Sequence, residues 1–217
     1  MIAKDVKLIE YSKKVDFGNC ITHAAGAIGG IAALILMIMK AEGARHTASA
    51  VIYGIALIAV YTVSAVYHGL KNGEAKRKAR LIDHSTVPVL IAGTATPCAL
   101  ITLYEISMPH SLLVFFLGWG CTLFGIISKL FFFEKARKIT VAVYIASCVV
   151  MICSAIPLLG QINPNAFGGL VLGNIFYLIG AAFCGLGIKR PWLHVVFHIF
   201  VLLASFVQFA VIYIYVI

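Results

Sequence analysis

Residues 192–216 read WLHVVFHIFVLLASFVQFAVIYIYV and contain no Asp, Glu, Lys or Arg. A helix needs about 20 predominantly apolar residues to cross the hydrocarbon core of a bilayer, so this segment predicts a transmembrane helix. The segment also carries two histidines, His194 and His198, close to its beginning. It therefore predicts both a membrane-spanning fold and a polar site near one end of this helix.

The composition of the 217-residue chain extends this interpretation to the whole protein. Hydrophobic residues make up 62% of the chain and charged residues only 12%, whereas soluble domains are about one quarter charged. The mean hydropathy is +1.02. These values exclude a soluble enzyme, a disordered protein and a disulfide-stapled secreted domain, and they predict an all-α integral membrane protein.

Seven apolar segments, bounded by charged or turn-forming residues, fill the chain. They predict a single seven-helix membrane domain over residues 1–217, with no room for a second domain. The predicted spans are 18–39, 48–70, 81–103, 111–132, 139–160, 167–187 and 192–216.

The basic residues are distributed very unevenly over the predicted loops. Of the 17 Lys and Arg residues, only Lys40 and Arg45 belong to one side, and all the others flank the opposite helix ends. Because basic residues concentrate in cytoplasmic loops, we expect a cytoplasmic N-terminus and an external C-terminus. The net charge of +9 is accordingly interpreted as a determinant of topology, and nucleic acid is not expected as a partner.

The histidines within the predicted spans all lie near the predicted cytoplasmic end, on four different helices, and so does the only carboxylate within a span, Asp83. Ionisable residues inside a membrane are costly and mark functional sites by default. Their shared depth predicts one polar site. The histidines concerned are His23, His68, His84, His194 and His198.

A metal ion suits this set of side chains. His194 and His198 are one turn apart on one helix face, which is a common way for a helix to supply two zinc ligands. The pair alone is equally compatible with histidines at a membrane interface, but His68 lies at the same depth and supplies a third ligand. Three protein ligands and an open position are typical of catalytic zinc, and Asp83 would offset part of the ion's charge.

Ser64 lies four residues before His68 and shares its helix face. Its hydroxyl either belongs to the site or bonds the backbone carbonyl one turn earlier, which is the commoner arrangement for a serine in a helix. His84 is left out of the site because its side chain points about 100° away from that of Asp83 around the helix.

Asp16, Asn19 and His23 also fall on one helix face, and they are predicted to support the metal ligands from behind. His23 could be a fourth ligand, a residue that supports the ligands, or a core histidine. The last two alternatives are favoured because three ligands suffice. Cys20 and Cys184 lie near the right depth, but small buried thiols more often pack than bind metal.

Several motifs together resemble the bacterial hemolysin III proteins, a branch of the progestin and adipoQ receptor superfamily. The resemblance covers essentially the whole chain and departs at Asp16, where the family usually has Glu. The motifs are NCITHAAGAIG at 19–29, HTASAVIYG at 46–54, VSAVYHGL at 63–70, LIDHSTVPVLIAGTATP at 81–97 and PWLHVVFHIFVLLAS at 191–205.

The resemblance implies a seven-helix protein of the bacterial inner membrane, with Zn²⁺ near the cytoplasmic leaflet. The family's three zinc ligands map onto His68, His194 and His198, and the positions near the water at the metal map onto Asp83 and Ser64. The superfamily includes alkaline ceramidases, so the implied substrate is a membrane lipid with an amide or ester bond. The name of the branch implies a different activity, lysis of red cells by pore formation.

Three functions therefore remain, in descending order of preference. The first is a zinc-dependent hydrolase of a membrane lipid, the second is a non-catalytic regulator or receptor-like protein, and the third is a pore-forming cytolysin. No span shows the continuous polar stripe that a pore would need. A retinal protein is excluded because the predicted seventh span contains no lysine for a Schiff base.

Overall fold

The computed structural model describes residues 6–217. Within this range seven helices are long and apolar enough to cross a membrane, and the same residues contain no strand. The prediction of an all-α, seven-helix fold is thereby confirmed. The helices are α1 (Lys13–Lys40), α2 (Gly43–Gly69), α3 (Glu74–Ile106), α4 (Met108–Phe132), α5 (Arg137–Leu158), α6 (Pro164–Leu186) and α7 (Leu193–Tyr215).

Several helices begin earlier than the apolar segments that predict them. Helix α1 begins at Lys13, where the Ser12 hydroxyl accepts a hydrogen bond from the backbone N–H of Val15 at 3.4 Å. Helix α3 begins at Glu74, and its first two turns are rich in basic residues. Hydropathy marks only the apolar part of a helix, whereas Glu, Lys and Arg are good helix formers.

Helix α3 changes its winding beyond its second proline. Pro88 and Pro97 both lie within the helix, and a π-helical stretch, Cys98–Leu103, follows directly. Proline cannot donate a backbone hydrogen bond, and short π segments occur where the regular ladder is interrupted. This irregularity lies at the opposite end of α3 from Asp83.

Helix α1 packs against α2 and α7, α2 packs against α3, and α3 packs against α4, while α6 lies on α7. Large apolar side chains on the outer faces stay exposed, for example Ile28 at 71% and Phe206 at 69%; these faces suit contact with lipid. The main core joins α1, α2, α3 and α7 and consists of Ala33, Met37, Ala50, Tyr53, Ala56, Leu57, Val60, Tyr61, Leu90, Ile101, Val201, Ile212 and Val216.

Gly26 lets α1 approach its two neighbours closely. A Cβ at this position would lie 2.6 Å from the ring of Tyr61 on α2 and 2.7 Å from Leu202 on α7. The Tyr61 ring cannot move aside freely, because its hydroxyl donates to Ser205 Oγ at 2.6 Å. This close contact lies one turn after His23 and holds together α1, α2 and α7, which carry His23, His68, His194 and His198.

Candidate metal centre

Three histidines from two helices meet at one end of the bundle. His68 is at the end of α2, and His194 and His198 are on the first two turns of α7. One ligand nitrogen from each ring lies within 4.8 Å of the other two. We call His68, His194 and His198 the three-histidine group. The structure thus brings together the three residues that were predicted to bind a metal.

His68 is held by a carboxylate on a neighbouring helix. Its Nδ1 lies 3.1 Å from Oδ1 of Asp16, to which it donates, while the other Asp16 oxygen accepts from Lys76 Nζ at 2.7 Å. The Nε2 of His68 is buried and has no hydrogen-bond partner among residues 6–217. A carboxylate behind a histidine fixes its tautomer and leaves the other nitrogen free to bind a metal.

His198 is oriented in the same way by a backbone carbonyl. Its Nδ1 donates to the carbonyl oxygen of Asn19 at 3.3 Å and lies 3.4 Å from Thr22 Oγ1. The side-chain amide nitrogen of Asn19 lies 3.4 Å from His68 Nδ1. Asn19 therefore contacts two members of the three-histidine group from α1, and the Nε2 of His198 is left as the possible ligand atom.

His23 lies beside the three-histidine group. Its ring stacks on that of His198 with a centroid separation of 3.7 Å and an interplanar angle of 20°. The ring also meets the edge of Tyr61 at 5.1 Å. Neither His23 nitrogen has a hydrogen-bond partner within residues 6–217. Among these residues His23, Cys20 and Cys184 do not join the group of mutually close ligand atoms.

Ser64 and Asp83 face each other across α2 and α3. Ser64 is buried one turn before His68, and its hydroxyl lies near the half-buried Asp83 carboxyl on α3. The Asp83 carboxylate does not belong to the mutually close ligand atoms of residues 6–217. The three imidazoles thus form one group, and the Asp83 carboxyl lies outside it with the Ser64 hydroxyl nearby.

Tyr11 covers the group and was missed in the sequence. Its ring stacks on His194 at 5.4 Å with an interplanar angle of 24°, and it lies 5.7 Å from the His68 ring. Burial raises the pKa of the Tyr11 hydroxyl above its usual range, so that the group stays neutral. The residue precedes α1 in a polar segment, where no periodic pattern points to it.

The chemistry of the donor set fits a divalent metal. Three neutral imidazoles are the ligands that Zn²⁺ and related ions take at catalytic sites. Two of the rings have their second nitrogen engaged by α1, and the orphaned Nε2 of His68 is a buried atom that a metal would satisfy. The fold and this group define a multi-pass membrane protein with a candidate three-histidine metal centre.

Comparison with known proteins places this chain in a family. Residues 11–209 match the model of the family described as haemolysin-III related, and the chain belongs to this family. It is 34% identical to "Hemolysin-3" of Bacillus cereus, covering 100% of this chain and 98% of that protein. It is 33% identical to "Hemolysin-3 homolog" of Bacillus subtilis (strain 168), covering 92% and 93%.

A more distant relative comes from an animal. The chain is 23% identical to the human "Monocyte to macrophage differentiation factor" over 91% of this chain and 82% of that protein. The resemblance inferred from the motifs is confirmed at the level of the family.

Proposed function

We propose that the three-histidine group binds Zn²⁺ and that the protein hydrolyses an amide or ester bond of a membrane lipid. The observation that carries this proposal is the convergence of three imidazoles from α2 and α7 within 4.8 Å. Two of these rings are oriented by partners on α1. Three histidines leave one tetrahedral position for water or substrate, as in catalytic zinc sites.

Bound zinc supplies a Lewis acid that lowers the pKa of water to about 7. The residues of the chain supply the rest of the reaction. Asp16 and the Asn19 carbonyl hold His68 and His198 in place. Asp83 accepts the proton of the attacking water, and Ser64 orients the Asp83 carboxyl or donates to the substrate carbonyl oxygen.

The site is proposed to face the cytoplasm. It lies at the end of the bundle where α1 and α7 begin and α2 ends, and the loops at this end carry nearly all of the basic residues. A reporter that is active only outside the inner membrane should be silent when fused at residue 75 and active when fused after residue 217. The reverse pattern would contradict this orientation.

The catalytic proposal is tested by comparing two carboxylates on the same helix. Asp83→Asn should keep zinc but lower the release of fatty acid from ceramide-like and phospholipid substrates by about 10²–10⁴-fold, because an amide cannot accept the proton. Ser64→Ala should keep zinc and lower the release of fatty acid by about 10–10³-fold. The control Glu105→Gln, at the other end of α3, should leave both zinc and turnover unchanged.

The outcomes separate the alternative functions. Full hydrolysis by an Asp83→Asn protein that retains zinc would reject the proposed mechanism. A wild-type protein that holds zinc but is inactive on every lipid amide and ester would favour a non-catalytic regulator. If the purified protein lyses red cells and the His198→Ala variant lyses them equally well, this would support a cytolysin that acts independently of the metal.

A further inference from the structure

Two buried cations lie around one aromatic ring next to the three-histidine group. The guanidinium carbon of Arg80 on α3 is 5.2 Å from the centroid of the Phe133 ring, and Nζ of Lys129 on α4 is 5.4 Å from the same centroid. Each of the two residues is only 3% exposed. We call Arg80, Lys129 and Phe133 the basic cluster.

The positive charge of the basic cluster is incompletely matched within residues 6–217. The Arg80 guanidinium has one carboxylate within 4 Å there, Glu134, whose oxygen lies 3.6 Å away, beyond the usual hydrogen-bond distance. The Asp83 carboxyl also lies within electrostatic range of Arg80, and Glu134 within that of Lys129. Two donor nitrogens of Arg80, Nε and Nη1, are buried without a hydrogen-bond partner in this range. Arg80 and Lys129 are also within electrostatic range of each other. Buried, underpaired cations are costly, so the arrangement favours an added anion.

An interfacial anchoring role does not explain this burial. Lysines and arginines that anchor a helix end keep their charged heads exposed. Lys78 on the same helix behaves in this way, because its side chain is 62% exposed and it pairs with Glu74 at 2.8 Å. Arg80, two residues later, turns into the protein instead.

The basic cluster lies close to the candidate metal centre. Arg80 is within electrostatic range of both His194 and Asp83. His84, one turn after Arg80, packs edge-on against Phe133 with a centroid separation of 5.3 Å. Arg80 is near the beginning of α3 and Lys129 near the end of α4, so both are at the depth where lipid headgroups meet the bundle.

We propose that the basic cluster binds a phosphate-class anion, either the headgroup phosphate of a membrane lipid or free phosphate. A planar guanidinium matches phosphate oxygens geometrically, and a neighbouring ammonium adds a point charge. Basic pockets between helices at this level of a membrane are suited to anionic headgroups. The binding step itself does not require a metal.

This binding site would also determine which lipid is the substrate, and that consequence rests on the proposed function. A lipid held by its headgroup phosphate at Arg80 has its acyl linkages beside the three-histidine group. The substrate class is then an anionic phospholipid, in preference to a neutral lipid amide.

The experiment measures lipid retention and zinc on the same purified full-length protein. Protein is reconstituted into phosphatidylcholine vesicles that contain phosphatidylglycerol at about one fifth of the lipid, re-extracted in detergent, and analysed for bound lipid by mass spectrometry. The variants are Arg80→Gln, Arg80→Lys and Lys129→Gln. The matched control is Lys78→Gln, which removes one exposed charge from the same helix. Binding of inorganic phosphate is measured in parallel by calorimetry.

The wild type should retain phosphatidylglycerol preferentially. Arg80→Gln and Lys129→Gln should each lower retention about 10–100-fold, as expected for loss of one charge-assisted interaction, and Lys78→Gln should not. Arg80→Lys keeps the charge and should retain an intermediate amount.

Each remaining outcome also decides the proposal. Phosphate binding that is lost in Arg80→Gln, while the retained amounts of phosphatidylglycerol and phosphatidylcholine both stay unchanged, would identify free phosphate as the anion. Equal retention by the wild type and both cluster variants, together with no phosphate binding, would overturn the proposal. Zinc content keeps the two proposals apart, since zinc should persist in Arg80→Gln, and lipid retention should persist in a His198→Ala protein that has lost zinc.

Discussion

The two ends of the helix bundle both carry histidines, but these histidines differ in burial and in partners. At one end His68 and His198 are buried, and each is held by a group on α1. At the other end His110 is half-buried and bonds Ser107 Oγ, three residues away, at 2.8 Å. A histidine becomes a candidate ligand when a different helix holds one nitrogen and thereby aims the other at a shared point.

The cations at the two ends show the same contrast. Lys40 donates to the backbone carbonyl of Tyr213 at the end of α7, and Arg45 stacks over the Tyr104 ring at 4.0 Å. Both are surface contacts that close off helix ends. Lys76 is instead buried and completes a chain from its ammonium through Asp16 to His68. Burial of charge is therefore concentrated at the end that holds the three-histidine group.

The largest expected effect is the loss of bound zinc when one histidine of the three-histidine group is removed. His68→Ala, His194→Ala and His198→Ala should each reduce bound zinc from about one per chain to background, because two ligands do not hold the ion well. His46→Ala and His110→Ala at the opposite end should leave the zinc content unchanged. Elemental analysis of purified protein makes the measurement. Complete loss of zinc in His23→Ala would contradict the assignment of three ligands.

The convergence of the three histidines could be predicted from depth and spacing, and Asp16 and Asn19 could be predicted to support them, but the partner that each of these two contacts could not. His194 and His198 are one turn apart, and the predicted span boundaries place His68 at the same end. Which carboxylate stands behind His68 depends on how α1 packs against α2. Asp16 lay on the right face in the sequence, whereas its partner Lys76 looked like one of several topology-setting lysines.

Asp16→Asn should weaken zinc binding about 10–100-fold, the usual cost of removing a partner behind a metal-binding histidine. The amide can still accept from His68, but it loses its charge and leaves the buried Lys76 ammonium unpaired. Competition with a chelator of known affinity gives the value. Glu74→Gln, which removes an exposed ion pair with Lys78, is the control. Equal affinities of the two variants would remove Asp16 from the site.

A pair of glycines on α1 tests the packing beneath the site. Gly26→Ala should lower the free energy of unfolding by about 1–3 kcal/mol, because the added methyl group meets the fixed ring of Tyr61. Gly29→Ala is the matched control, since a Cβ there has nothing within 4 Å, and alanine favours a helix by about 1 kcal/mol. Thermal unfolding in detergent should separate the two variants, and equal melting temperatures would contradict the close approach.

The seven spans could be predicted from hydropathy. The burial of Arg80 and Lys129 and the contacts of Tyr11 could not be predicted from the sequence. Tyr11 reaches His194 only because the chain before α1 runs across the end of the bundle. Arg80 and Lys129 are basic residues near the ends of spans, as is typical of membrane-flanking positions, yet the packing of α3 against α4 buries them. Contacts between helices decide these positions, and hydropathy along one helix carries no information about them.

The smallest expected effect concerns Tyr11. Tyr11→Ala should weaken zinc binding about two- to tenfold, because ring stacking on His194 contributes modestly. Tyr11→Phe keeps the ring and should bind zinc as the wild type does. The chelator competition resolves this difference. A loss as large in Tyr11→Phe as in Tyr11→Ala would mean that the hydroxyl, and not the stacked ring, supports the site.

X-ray absorption at the zinc edge of the purified wild-type protein tests the central claim most directly. The spectrum should show about one zinc per chain with imidazole nitrogens at about 2.0–2.1 Å and no sulfur neighbour. The multiple-scattering signature of the imidazole rings should vanish with the metal in His198→Ala. A sulfur shell at about 2.3 Å, or a wild-type protein with no more zinc than His198→Ala, would contradict the three-histidine zinc site.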